Sequence, residues 1–197
     1  MRIIAGKFKG ITLYGPKGKE IRPLKDMVRE SIFNFLAHSK KISFELERAN
    51  VLDLYSGTGS FGLECISRLA AKSLFVENEK AAIKILEKNI EKLKVKKKTK
   101  ILNGDVFNII KRYDKNFFEF TDIKFDLIFC DPPFKETNIN NLIELIIAKN
   151  LLKKNGIIIL HRHKKSKEKL TFNFNIIDKR AYGLSEIIFG KSSKSLF

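Results

Sequence analysis

From about residue 50 onward the chain alternates short apolar runs with helical patterns, and this alternation restricts the fold more than any single motif does. Residues 51–55 and 73–77 have the length and apolar content of buried strands. Between them, residues 61–70 read as a helix, and residues 80–93 set Ile83, Leu86, Ile90 and Leu93 at helical spacing. The series continues with strands at 99–103 and 125–130, a helix at 139–148 and a strand at 156–161. Two last extended runs, 172–179 and 185–189, with Gly183 between them, predict an antiparallel hairpin. Strands that alternate with crossover helices must be covered on both faces. The expected fold is therefore α/β: a doubly wound, mostly parallel, Rossmann-like sheet ending in that hairpin.

Ligands of such sheets bind beyond the carboxyl ends of the strands. Gly57, Glu77, Asp105 and Asp131 each fall at or just after a predicted strand end. The stretch 53–62 holds Asp53, Ser56, Gly57, Gly59 and Gly62; its glycines permit a tight turn and close approach of backbone to ligand. The glycine spacing alone fits a dinucleotide as well as S-adenosylmethionine, and Glu77 lies at ribose-binding distance in either case. The carboxylates discriminate. Asp53 ahead of the glycines would repel a pyrophosphate but suits a ligand carrying ammonium and sulfonium charge, and Asp105, followed by Val106, is placed to accept from an adenine amine. The competing reading for Asp53 or Asp105 taken singly is a helix cap or turn carboxylate.

Asp131-Pro132-Pro133-Phe134 follows the apolar run 125–130. The prolines fix φ and offer no N–H donors, which leaves a rigid loop with one carboxylate, free carbonyls and one aromatic ring. Asp131 and the Pro132 carbonyl can accept hydrogen bonds from an exocyclic NH2 while a flat ring lies against Phe134, as recognition of a nucleobase amine requires. The loop looks like that of an amino-methyltransferase. Such chemistry needs acceptors and alignment, with neither a metal nor a covalent nucleophile. His161 and His163 lack Cys or carboxylate partners in sequence and read as surface residues or substrate contacts rather than metal ligands. Cys65 and Cys130, in apolar contexts, read as buried small hydrophobes.

A chain of 197 residues suits one domain with an extension. Residues 1–25 stand apart as a basic extension, where substrate contacts would sit, and 26–197 as the methyltransferase domain. Thirty-nine Lys and Arg against 22 Asp and Glu give +17, which favours a polyanionic partner. The excess concentrates in residues 1–25, where Lys7, Lys9 and Lys17 are candidate nucleic-acid contacts. No apolar run reaches the ~18 residues of a membrane span, and the expectation is a soluble, cytoplasmic protein.

Four stretches together resemble the RsmD-type guanine-N2-methyltransferases of bacterial small-subunit ribosomal RNA: residues 2–10, residues 22–34 around Arg22, Pro23, Asp26, Val28, Arg29 and Glu30, residues 53–62, and residues 131–134. The resemblance covers nearly the whole chain. It implies S-adenosylmethionine as cofactor and 16S rRNA, in the small subunit or its assembly intermediate, as partner. It also implies a monomer, a small RNA-contacting β extension over residues 1–25 that feeds a helix packed beside the cofactor with Arg29 facing its carboxylate, and a DPPF loop at the target base. Arg29 paired with Asp26 or Glu30 is the plain alternative. Leu24-Lys25 departs from the paired threonines common in that family, and residues 113–124, rich in Phe and Lys, look like an insertion. Two rival readings are an adenine-N6-methyltransferase acting on RNA or DNA and a noncatalytic RNA-binding assembly factor.

Overall fold

The computed structural model describes residues 1–15, 24–113, 124–166 and 170–193. Thirteen residues of helix α1 (Asp26–His38) precede strand β1 (Asn50–Leu54). There follow α2 (Ser60–Ser67), β2 (Lys72–Glu77), α3 (Lys80–Leu93), β3 (Thr99–Asn103), α4 (Val106–Arg112) and β4 (Phe125–Cys130). The chain continues through α5 (Ile139–Ala148) and β5 (Leu152–His163) to the hairpin β6 (Phe174–Tyr182) and β7 (Ser185–Ser192). One seven-stranded sheet has the order β3-β2-β1-β4-β5-β7-β6. The β1–β5 ladders are parallel; β7 runs antiparallel to both β5 and β6. The doubly wound sheet and its closing hairpin agree with the sequence expectation.

Each face of the sheet carries its own core. On one face Phe33, Phe61 and Phe129 stack in series, with centroids 5.2 Å and 3.9 Å apart, joining α1 and α2 to β4. On the other, Ile139, Leu142, Ile143 and Ile146 of α5 are fully buried with Val106 and Ile110 of α4 against Leu52, Leu54 and Ile128. Burying each such side chain is worth roughly 1.5–3 kcal/mol, which explains why these short strands form without help from turn chemistry.

The N-terminal β extension reduces to a single bridge, Arg2 to Thr12, among the described residues. Across that bridge Ile3 N–H donates to the Ile11 carbonyl and Leu13 N–H to that of Met1, at 3.0 Å each, and three further amides are taken by side chains of α2. Buried Glu64 accepts from the Ile4 and Ala5 N–H groups at 2.7 and 3.0 Å, and Ser67 Oγ accepts from Phe8 N–H at 3.0 Å. Ile3 and Leu13 enter the same core as α1 and α2. A Cβ on Gly6, whose φ is +80°, would lie 2.0 Å from the Ser67 carbonyl oxygen, so the arm docks backbone to backbone.

Candidate active site

β1 and β4 are neighbours at the centre of the sheet, and their following connections leave to opposite faces, which opens a crevice at their carboxyl ends. The crevice encloses about 380 Å3. Tyr55 and Gly57 turn through the left-handed region with φ of 58° and 54°, and Gly59 caps α2 with φ of 82°. At Gly62 a Cβ would fall 2.4 Å from the Phe75 ring, so only glycine lets α2 settle on β2. Glu77 ties this loop to the end of β2: Oε2 accepts from Gly57 N–H at 2.7 Å, while Oε1 accepts from Asn78 and Glu79 N–H at 2.9 Å each.

The loop after β4 forms the opposite wall. Asp131 N–H donates to the Leu54 carbonyl at 3.3 Å, and Glu136 N–H to that of Pro133 at 2.9 Å. Beneath them lies the buried guanidinium of Arg162 on β5, donating to the Pro133 carbonyl at 3.3 Å and to the Glu136 carbonyl at 2.7 Å. Asp131 Oδ1 meets His161 Nδ1 at 2.7 Å, and His161 Nε2 meets Ser185 Oγ at 2.8 Å. Phe134 presents its ring edge-on to His161 and His163, with centroids 5.6 and 5.2 Å away.

Of the residues singled out from sequence, Ser56, Gly57, Glu77, Asp131, Pro132 and Phe134 line this one crevice. Gly59 lies buried just behind it. Asp53 does not line it. Its carboxyl is wholly buried and accepts from Gly62 N–H at 3.0 Å; burial foremost, then the charges of Asp131 and Glu77, push its pKa well up. It therefore organises the glycine turn rather than facing a cationic ligand. Asp105 is exposed and caps α4 by accepting from Asn108 N–H at 3.0 Å, and Val106 is buried in the first turn; neither lines the crevice.

Of the two readings offered for Arg29, the structure has the pair with Asp26. Its Nη2 donates to the Arg2 carbonyl and to Asp26 Oδ1, the latter at 3.0 Å, and its side chain is fully buried away from the crevice lining. Burial lowers its pKa, against the neighbouring Glu64 and Asp26 charges that raise it. Lys7 and Lys9 are exposed on the docked arm, and Lys17 lies outside the described residues, as does most of the 113–124 insertion.

Sequence reasoning missed Lys25, Tyr55 and Ser185 as lining residues, and it read His161 as a surface or substrate-contacting residue where it is buried. The available signal for His161 was its place at the end of the strand next to β4, whose own end carries Asp131. Among the described residues no cluster of His, Cys, Asp and Glu could hold a metal ion.

The crevice suits a polar, cationic ligand. Tyr55 Oη and Ser56 Oγ, both on its wall, are buried without a hydrogen-bond partner among the described residues. Such groups are rare unless a ligand or water meets them. Glu77, Glu79 and Asp131 line it against one cation, Lys25.

This strand order, the glycine loop tied to an acid ending β2, and the carboxylate-Pro-Pro-aromatic loop after β4 define a class I S-adenosylmethionine-dependent methyltransferase. A family model described as conserved hypothetical protein 95 matches residues 1–191, and the chain belongs to that RsmD-type family. Ribosomal RNA small subunit methyltransferase D of Buchnera aphidicola subsp. Baizongia pistaciae is 32% identical over 162 residues, covering 82% of this chain and 76% of that one. The Haemophilus influenzae protein of the same name is 29% identical over 185 residues, 93% of this chain and 90% of its own. The solved Escherichia coli chain yhhF, named a candidate methyltransferase, shares the fold with a TM-score of 0.80 at 24% identity, over 98% of this chain and 99% of that one.

Proposed function

We propose that the protein methylates the exocyclic N2 of a guanine in 16S ribosomal RNA, presented in the small subunit or its assembly intermediate, and that it acts as a monomer in the cytoplasm where that substrate is made. The observation that carries this reading is that the Asp131–Phe134 loop and the groups suited to the cofactor share one crevice. The relatives named for small-subunit rRNA methylation support the substrate class.

S-adenosylmethionine, when bound, supplies an electrophilic methyl group on a sulfonium. Glu77, already oriented by three backbone amides, retains lone pairs for the ribose hydroxyls, and Ser56 Oγ and Tyr55 Oη supply further polar contacts. Lys25 takes the cofactor carboxylate, since it lines the crevice and Arg29 does not. A guanine N2 lone pair is delocalised into its ring and attacks poorly. Asp131 and the Pro132 carbonyl therefore accept from the amine, align it with the methyl carbon and stabilise the positive charge that develops on nitrogen. Phe134 stacks on the flipped-out base, a contact typically worth about 1–3 kcal/mol. Residues 1–25 contact the surrounding RNA.

The test is transfer of labelled methyl from S-adenosylmethionine to undermodified small subunits, with nucleoside mass spectrometry of the product. N2-methylguanosine made by the wild type and lost in Asp131→Ala is the expected result. N6-methyladenosine would reassign the enzyme to the adenine class. Cofactor binding without transfer to subunits, RNA or DNA would favour the noncatalytic reading.

A further inference from the structure

The registers of three strands bring Asp131, His161 and Ser185 together. In the parallel ladder Cys130 is opposite Leu160, so Asp131 and His161 are the next pair beyond the end of β4. In the antiparallel ladder His161 is opposite Ile187 and His163 opposite Ser185, which sets Ser185 diagonal to His161 on the same face. Both imidazole nitrogens are thereby used inside the protein, and the side chain is only 10% exposed. The Asp131 side chain is 25% exposed, with Oδ1 on His161. Asp131 itself lines the crevice.

We infer that His161 is a positioning residue for methyl transfer, holding the Asp131 carboxylate through Nδ1–H while Ser185 holds the imidazole through Nε2; the inference rests on the function proposed above. An ionised carboxylate only accepts, so Nδ1 must carry the proton. A serine hydroxyl can rotate to donate to a bare Nε2 or to accept from a protonated one, so the hold on Asp131 survives either state of the ring. Without that hold the carboxylate rotates freely about its Cβ–Cγ bond. The amine then meets an acceptor of undefined direction, although hydrogen bonds weaken steeply off axis. The edge-on contact of Phe134 with the same ring ties the aromatic platform to the same anchor.

Two substitutions separate the roles of the ring nitrogens. His161→Asn retains an N–H donor near the position of Nδ1, whereas His161→Gln retains polar atoms near that of Nε2. On undermodified subunits His161→Gln is expected to lower kcat at least about tenfold with KM for S-adenosylmethionine nearly unchanged, and His161→Asn to stay within about threefold of wild type, as expected for a lost transition-state alignment. Calorimetric binding of S-adenosylhomocysteine reports whether the crevice is intact in each variant. Equal losses in Asn and Gln with binding retained, or a Gln variant as fast as wild type, would overturn the inference. Loss of binding in both would make His161 a support of the crevice and overturn it equally. A wild-type protein that transfers no methyl group would instead sink the proposed function itself.

Discussion

Asp53 is a carboxylic acid sealed inside the sheet, and its neighbours decide its charge. Burial and the nearby Asp131 and Glu77 charges hold its pKa well above the ordinary carboxylate value of about 3.9, and the Gly62 amide only partly offsets them. Between the unfolded and folded values the native state keeps a proton that the unfolded chain has released. Stability therefore falls as pH rises through that interval. Asp53→Asn keeps an acceptor for the Gly62 amide and has no proton to lose. Its melting temperature is expected to decline less than that of wild type between pH 5 and pH 8, and parallel declines would show that Asp53 titrates normally. Sequence could place an acid before the glycines, but not say which way it pointed. That depends on α2 crossing over the end of β1, a contact no local pattern encodes. For Arg29 the sequence offered the Asp26 partner but not the Arg2 carbonyl, 27 residues away.

The elements were more legible than the residues. The strands of the parallel sheet were readable because burial on both faces makes them continuous apolar runs, and only strand ends moved. β5 begins at Leu152, earlier than expected, and β6 and β7 reach Tyr182 and Ser192 because pairing with a neighbour extends polar residues too. α4 was missed: seven residues are too few for a helical period, and its one sign was the Asp105 cap. The N-terminal β extension pairs only briefly, at Arg2 and Thr12, because Glu64 and Ser67 take the neighbouring amides of Ile4, Ala5 and Phe8. What joins elements into a site is Arg162. Its fork spans the Pro133 and Glu136 carbonyls, and hydrogen bonds from a charged donor are worth about 1.5–3 kcal/mol each. Arg162→Met is expected to lower the melting temperature and cut methyl transfer at least about tenfold. Arg162→Lys should recover little of either, since a single ammonium cannot reproduce the planar fork. Full activity in the Lys variant would show that charge alone anchors the loop.

At the scale of the whole molecule, a protein of charge +17 meets a polyanion, and what matters is whether that charge is held in a fixed place. Arg2, Lys7 and Lys9 are exposed on an arm whose backbone is fastened to α2: Lys7 N–H donates to the Ser67 carbonyl at 2.7 Å, and the Ser67 hydroxyl donates to the Ala5 carbonyl at 2.6 Å. Cations on a fixed arm can meet phosphates at set positions, without the entropy cost of ordering a loose tail on binding. Each phosphate neutralised releases counterions and adds about 0.7–0.9 to the slope of log affinity against log salt. Replacing Lys7, Lys9 and Lys17 together by Gln is therefore expected to weaken RNA binding at low salt and to reduce that slope by about 2–3. Binding of S-adenosylhomocysteine should stay as in wild type, because the docked arm that carries Lys7 and Lys9 contributes neither lysine to the crevice lining. Titration of the RNA at two salt concentrations decides it: unchanged affinity at both takes the arm out of the RNA interface, and a uniform loss with the slope intact would mean that the lysines support the arm's conformation rather than contact phosphate.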